Sequence, residues 1–187
     1  MLPGFSSPAA SFDQPFEMLA ACHDRVRRSL RRLTLLVPHL QAHGNDAPAR
    51  QAAADVLRYF DLAAPHHHED EERHVFPPLL ACGPAAVQAA VRQLQQEHRE
   101  MARAWAALRP GLQRLADGEA DTLDEADAGR IQRFVALYEA HLRLEDEQVY
   151  PVARQQIDAA ALPAIGAEMA RRRGAPAPGT QDLPGRR

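Results

Sequence analysis

Residues 67–77 read HHEDEERHVFP, and residues 141–151 read HLRLEDEQVYP. Both stretches place a glutamate four residues after a leading histidine, and both end in valine, an aromatic residue and proline in the same register. Side chains four residues apart lie on one face of a helix, about 6 Å from each other. The repeat therefore predicts two helices that each present a histidine and a glutamate, as two halves of one metal site.

Apolar residues spaced by three and four run through four long segments, which is the pattern of helices that each bury one face. No segment alternates with period two, and alanine, leucine, glutamine and arginine are abundant. The sequence therefore predicts an all-α protein, an antiparallel up-down-up-down four-helix bundle with a short C-terminal helix. Each stripe contains one inward histidine, and two also contain a glutamate: His23, His67 with Glu71, His98, and His141 with Glu145.

The length of 187 residues suits one domain with short tails. The expected divisions are a flexible N-terminal tail over 1–14, the helical bundle over 15–155, a short C-terminal helix over 156–173 and a disordered Pro/Gly-rich tail over 174–187. Short loops that contain glycine or proline separate the long segments, which favours antiparallel neighbours.

The net charge of -3 gives no support to a nucleic-acid partner. No apolar stretch approaches the roughly 18–20 residues of a membrane span, and the N-terminus lacks the pattern of a secretory signal. Cys22 and Cys82 do not form a disulfide framework, so two reduced thiols in a cytoplasmic protein are expected. We therefore expect a cytoplasmic location without nucleic-acid or membrane partners.

Four inward imidazoles and two inward carboxylates need partners, because one unpaired buried polar group costs roughly 1–3 kcal/mol. No arginine or lysine occupies the stripes near them. A pair of dications would neutralise the carboxylates and use the imidazole lone pairs. Mixed imidazole and carboxylate ligation suits iron or manganese better than a structural zinc, although zinc also binds such sites tightly. The predicted ligands are His23, His67, Glu71, His98, His141 and Glu145.

This group of motifs resembles the hemerythrin-like, HHE cation-binding domain. The residues that carry the resemblance are His23, the run HHEDEE at 67–72 with Phe76 and Pro77, His98, and His141 with Glu145. The similarity covers about residues 15–155. It implies a four-helix bundle with two iron ions, a non-haem di-iron centre bridged by carboxylates and by an oxo or hydroxo group. The six predicted ligands match the ligands of the family.

One departure from the family concerns an imidazole. The oxygen-carrying hemerythrins have a second histidine four residues after the ligand of the third helix, and here that position is Ala102. His74 shares a helical face with His67 and Glu71, whereas His68 lies about 100° away from that face. Either His68 or His74 can fill the vacancy, and otherwise water or substrate occupies it.

A second departure concerns a carboxylate. Those carriers use an aspartate five residues after the histidine of the fourth helix, which here is Asp146. Because the repeat aligns Glu145 with Glu71, Glu145 is the preferred ligand and Asp146 is the second choice. Tyr138 lies one turn before His141 and is interpreted as core packing that can still hydrogen-bond near the site.

We therefore expect a non-haem di-iron protein that binds or responds to oxygen, peroxide or nitric oxide, with a small diatomic or peroxide molecule as its ligand. The alternative is a protein that stores or delivers iron, including for the repair of iron-sulfur clusters. The sequence shows no obvious general base, nucleophile or substrate pocket outside the metal site. Whether the protein is an enzyme stays open, and any turnover would be centred on the metals.

Overall fold

The computed structural model describes residues 11–176, and within that range the chain is helical and contains no strand. Loops divide it into five helical segments. The helices are α1 Pro15–His43, α2 Ala47–Arg58, α3 Ala64–Asp70, α4 Phe76–Cys82, α5 Ala85–Ala116, α6 Glu125–Leu144, α7 Tyr150–Gln156 and α8 Leu162–Arg172. The all-α prediction is confirmed for the described residues.

Polar residues and one glycine fix several helix ends. The Asp46 carboxylate accepts the backbone N–H of Ala49 at 2.9 Å at the start of α2. Asp124 accepts the backbone N–H of Asp127 at 2.6 Å at the start of α6. Such caps each contribute about 1 kcal/mol, because they satisfy an N–H that has no partner within the helix. Gly44 follows α1 with φ at 68°, a conformation that suits glycine.

Three π turns connect helices without breaking them: Tyr59–Ala63 between α2 and α3, Glu71–Val75 between α3 and α4, and Glu145–Val149 between α6 and α7. In each turn the first carbonyl accepts the N–H five residues later. A proline lies six residues after the start of each turn, at positions 65, 77 and 151. Since proline has no N–H and its ring clashes with the carbonyl four residues earlier, a widened turn accommodates it. Two of the three turns begin at a glutamate of the repeat.

The helices enclose a common interior. Helix α1 packs against α2 and α6, and α5 packs against the same two helices, while α8 returns to α1. This arrangement is consistent with a helical bundle. Among the described residues, no helix combines the length and the apolar character that crossing a membrane requires.

Two apolar clusters fill the interior. The first contains large buried side chains such as Leu33, Phe60, Met101, Leu112 and Phe134. The second contains Leu19, Phe76, Leu79, Leu94 and Val149, among others. Along each long segment, the predicted ligands fall between residues of the first cluster and residues of the second. The polar site is therefore a layer between two apolar layers.

Replacing Leu33 by alanine is expected to lower the free energy of unfolding by about 2–5 kcal/mol, because the side chain is 0% exposed and its loss leaves a cavity. Leu35 on the same helix is 56% exposed. The matched Leu35→Ala change should cost about 0.5 kcal/mol or less. Urea unfolding of both variants measures the difference, and equal losses would contradict this assignment of the core.

Ion pairs hold α8 against α3. Asp70 is 1% exposed, and Arg173 Nη2 lies 2.6 Å from its Oδ2. Arg172 also pairs with Asp70, and its Nε donates to Glu168 at 2.9 Å. Because Asp70 directly precedes Glu71, these pairs connect the C-terminal helix to the edge of the polar layer. The predicted C-terminal helix is therefore packed on the rest of the chain.

Most of the two predicted tails, at 1–10 and 177–187, lies outside the described residues. Residues 11–14 precede α1 as a short turn, and Phe12 packs against the second apolar cluster. At the other end, the N–H of Gly174 donates to a carbonyl of the last turn of α8 at 3.1 Å. The division of the chain into domain and tails stays a prediction.

Candidate metal centre

The structure brings together the six predicted ligands, which lie on four different helical segments. They are His23 on α1, His67 on α3, Glu71 at the start of the second π turn, His98 on α5, His141 on α6 and Glu145 at the start of the third π turn. All six side chains are between 0% and 7% exposed. Their donor atoms form two groups, each within 4.8 Å: His23, His67, Glu71 and Glu145, and Glu71, His98, His141 and Glu145. The two glutamates belong to both groups.

Glu145 directs one oxygen to each group. Its Oε2 lies 3.2 Å from His23 Nε2, and its Oε1 lies 3.0 Å from His141 Nε2. Neither carboxylate oxygen of Glu145 has a hydrogen-bond partner. The carboxylate of Glu145 therefore lies between the two groups and has free lone pairs toward both.

Glu71 likewise directs one carboxylate oxygen to each group. Its Oε1 lies 3.6 Å from His67 Nε2, and its Oε2 lies 3.5 Å from His98 Nε2. Donor atoms about 2.1 Å from a shared metal and at right angles to each other are about 3 Å apart. The distances around Glu71 and Glu145 are close to that spacing. The arrangement has the form of two adjacent sites bridged by two carboxylates.

Carboxylates outside the cluster orient three of the imidazoles. The Nδ1 atom of His23 lies 2.9 Å from Asp146, that of His98 lies 3.0 Å from Glu72, and that of His141 lies 2.9 Å from Glu97. A carboxylate can only accept, so each Nδ1 carries the proton and donates it. The Nε2 lone pair of each ring then faces the interior of the cluster, as it does in histidines that bind metals.

Acceptor atoms with free lone pairs therefore face one another in the polar layer between the two apolar clusters. The Nε2 atoms of His98 and His141 are 3.2 Å apart. Within the cluster, the buried atoms without a hydrogen-bond partner are both ring nitrogens of His67, Nε2 of His68, Oε2 of Glu71 and both carboxylate oxygens of Glu145. Each such atom costs roughly 1–3 kcal/mol when it stays unpaired. Cations between the facing acceptors remove this cost, and nitrogen and oxygen donors together fit a divalent transition metal.

Protons can serve as those cations when no metal is bound. Burial opposes protonation of His23, but Asp146 and Glu145 outweigh burial and raise its pKa to about 9. Burial also opposes protonation of His141, but Glu145 and Glu97 outweigh it and raise its pKa to about 10.

The two glutamates differ in their protonation. Burial and the neighbouring charge of Glu145 raise the pKa of Glu71 to about 7. Burial also opposes the charge of Glu145, but the imidazoliums of His141 and His23 hold the pKa of Glu145 well below its usual value. Near neutral pH, Glu145 in the metal-free cluster is therefore ionised and lies between protonated His23 and protonated His141.

A fifth imidazole reaches the cluster. The ring of His68 stacks on that of His98, with centroids 4.0 Å apart and an interplanar angle of 13°. Donor atoms of His68, His98 and His141 lie within 4.8 Å of one another. By contrast, His74 Nε2 lies 2.7 Å from Glu168 Oε2 on α8. Of the two histidines that the sequence offers for the vacancy, the structure places His68 at the cluster.

The remaining two candidates lie around the cluster. Asp146 binds Nδ1 of His23 and forms an ion pair with Arg27 at 2.5 Å, so it orients a ring and does not share the interior with Glu145. The ring of Tyr138 packs against His68, with centroids 6.0 Å apart. Burial raises the pKa of the Tyr138 phenol well above its usual value.

Three further residues contact the site although no motif in the sequence marks them as candidates. The hydroxyl of Tyr150 donates to Glu71 Oε1, and its oxygen lies 3.1 Å from His23 Nε2. Glu72 and Glu97 each bind an imidazole Nδ1. The sequence offers one signal for the two glutamates: Glu72 directly follows the predicted ligand Glu71, and Glu97 directly precedes His98.

Comparison with known proteins adds a family match. The family model described as the hemerythrin HHE cation binding domain matches residues 14–153. An uncharacterized protein of Haemophilus influenzae is 34% identical over 164 residues, which is 88% of this chain and 92% of that protein. All six predicted ligands, including the two glutamates that belong to both donor groups, lie within the stretch that the family model matches.

Proposed function

Because the chain belongs to the hemerythrin HHE cation-binding family, we propose that it is a non-haem di-iron protein that binds or responds to oxygen, peroxide or nitric oxide. One observation carries this proposal: Glu71 and Glu145 each direct one oxygen to each of two adjacent donor groups. When bound to the protein, a pair of iron ions would supply electrons to small ligands such as oxygen, peroxide or nitric oxide.

The donor groups assign a holder to each ion. One ion would be held by His23 and His67, the other by His68, His98 and His141, and both by Glu71 and Glu145. A donor set rich in imidazole and carboxylate suits iron, with manganese and zinc as the competing ions. Asp146, Glu72 and Glu97 keep three of these rings in the tautomer that leaves Nε2 free.

The burial of the cluster restricts what can reach it. No ligand side chain among the six is more than 7% exposed. Phe76 stacks on His98, and Tyr150 stacks on His23, so aromatic rings cover part of the cluster. A large substrate cannot touch the donor atoms without displacing these rings, whereas a diatomic molecule or a peroxide is small enough to do so. A small ligand is therefore the partner that we propose.

The proposal includes two finer features. We propose that the four long segments run up-down-up-down. The short connections at 44–46, 83–84 and 117–124 each join two helices that pack against each other: α1 with α2, α4 with α5, and α5 with α6. We also propose a cytoplasmic location, which agrees with the absence of a bond between Cys22 and Cys82, both free in the structure.

Loading with ferrous iron at pH 7.5 is expected to release at least two protons per chain, because His23 and His141 must lose theirs before Nε2 can bind a metal. Their pKa values of about 9 and about 10 mean that both are protonated at pH 7.5 in the metal-free protein. Iron affinity should therefore rise from pH 7 to pH 9. Anaerobic titration calorimetry in two buffers of different ionisation enthalpy counts the protons. A count near zero at pH 7.5 would contradict this assignment.

The visible absorption spectrum of anaerobically iron-loaded protein tests the proposed function. We expect the spectrum to change on addition of oxygen, peroxide or nitric oxide. A charge-transfer band that appears with oxygen and disappears on its removal indicates reversible oxygen binding. An irreversible change indicates sensing or scavenging. A spectrum that none of the three ligands alters, together with transfer of iron to an apo-acceptor, would instead support iron delivery and overturn the proposal.

A further inference from the structure

The two halves of the repeat differ at two chemically important positions. With an offset of 74 residues, His67 aligns with His141 and Glu71 aligns with Glu145. The same offset aligns His68 with a leucine at 142. It also aligns a phenylalanine at 76 with Tyr150. At each of these two positions, one half has a polar side chain where the other half has an apolar one.

The first difference makes the donor groups unequal. The group of His98 and His141 gains a third imidazole from His68. The group of His23 and His67 has two imidazoles besides the shared glutamates. With Leu142 at the position equivalent to His68, the second half of the repeat has no imidazole to give it. One of the two ions would therefore be one terminal donor short.

The second difference places an oxygen beside the poorer group. The hydroxyl oxygen of Tyr150 lies 3.1 Å from His23 Nε2 and hydrogen-bonds Glu71 Oε1, which is the oxygen that Glu71 directs to His67. Neighbouring donor atoms on one metal are about 3 Å apart. The Tyr150 oxygen is therefore spaced from His23 as a further ligand of the same ion would be.

Packing holds this oxygen in place. The Tyr150 ring stacks on the His23 ring, with centroids 5.0 Å apart and an interplanar angle of 18°. In the other half, Phe76 stacks on His98 in a similar way, at 5.6 Å and 21°, without an oxygen. The stacking is thus common to both halves, whereas the hydroxyl is specific to the group that lacks an imidazole.

Resting on the proposed di-iron function, we propose that Tyr150 is a phenolate ligand of the ion held by His23 and His67. The two ions then differ in kind. One ion would be held by three imidazoles, the other by two imidazoles and a phenolate, and both by Glu71 and Glu145. In the metal-free protein the hydroxyl keeps its proton and donates to Glu71. On ligation that proton leaves to solvent, and the phenolate oxygen binds the ion.

The test compares ferric, iron-loaded full-length protein with its Tyr150→Phe variant by visible absorption and resonance Raman spectroscopy. A phenolate bound to ferric iron gives a visible charge-transfer band whose excitation enhances the vibrations of the phenolate ring. We expect this signature in the unaltered protein and its loss in Tyr150→Phe, in which the iron beside His98 and His141 should stay bound and the iron beside His23 and His67 should bind more weakly. Phe76 already occupies the equivalent position, so the variant should fold. Tyr138→Phe, which removes a nearby hydroxyl, is the matched control and should keep the signature.

Two results would overturn the assignment of Tyr150 alone: two bound irons without a phenolate signature in the unaltered protein, or a signature that persists in Tyr150→Phe. Failure of the unaltered protein to bind iron at all would overturn the proposed function as well. Iron content measured on the same samples therefore separates the two failures.

Discussion

Glu145→Gln is expected to lose both iron ions after anaerobic loading and removal of free iron. Glu145 belongs to both donor groups, and its oxygens lie 3.2 Å from His23 Nε2 and 3.0 Å from His141 Nε2. The amide keeps the shape of the side chain but removes the negative charge and one acceptor oxygen. Because one carboxylate serves two ions, a single substitution should empty two sites. Iron analysis per chain measures the effect.

Glu147→Gln is the matched control, because Glu147 lies in the same π turn and is exposed. It should retain the iron content of the unaltered protein. Retention of two irons by Glu145→Gln would contradict the bridging role, and loss of one would show that Glu145 serves a single ion. Far-ultraviolet circular dichroism of each metal-free variant establishes that the helices are intact.

His68→Leu is expected to weaken binding of one iron ion and leave the other in place. The substitution copies Leu142, the residue at the equivalent position of the second half, so an apolar side chain is tolerated in that setting. Loss of an outer hydrogen-bond partner lowers metal affinity roughly 10–100-fold, and loss of a direct ligand should exceed that range. Anaerobic titration with ferrous iron against a competing chelator resolves the two binding steps.

His74→Gln separates the two histidines that the sequence offers for the missing ligand. His74 contacts Glu168 on α8, so its loss should leave both iron affinities unchanged. An effect of His74→Gln on iron affinity, with none from His68→Leu, would reverse the assignment. Equal effects of the two variants would indicate a general loss of packing.

The apolar stripes predicted the helical character and most of the inward positions, because spacing by three and four follows from 3.6 residues per turn. They did not predict the π turns. A π turn that begins at Glu71 widens the helix, so residues beyond it no longer follow the uninterrupted 3.6-residue pattern. His74 was placed on the face of Glu71 by the simple periodicity, and the structure places it against α8.

The internal repeat was the stronger guide to the site. It favoured Glu145 over Asp146, and the structure places Glu145 inside the cluster and Asp146 on the outer nitrogen of His23. The same repeat obscured Tyr150, because an aromatic residue in both halves indicates packing and hides the difference made by one hydroxyl. Glu97 lies outside both copies of the motif, so its contact with His141 depends on how the helices pack.

Anomalous diffraction from iron-loaded crystals at the iron absorption edge tests most directly the claim that two halves of the chain build one two-metal site. We expect two peaks per chain, one beside His23 and His67 and the other beside His98 and His141, with Glu71 and Glu145 contacting both. A single peak, or iron located elsewhere on the chain, would contradict the claim.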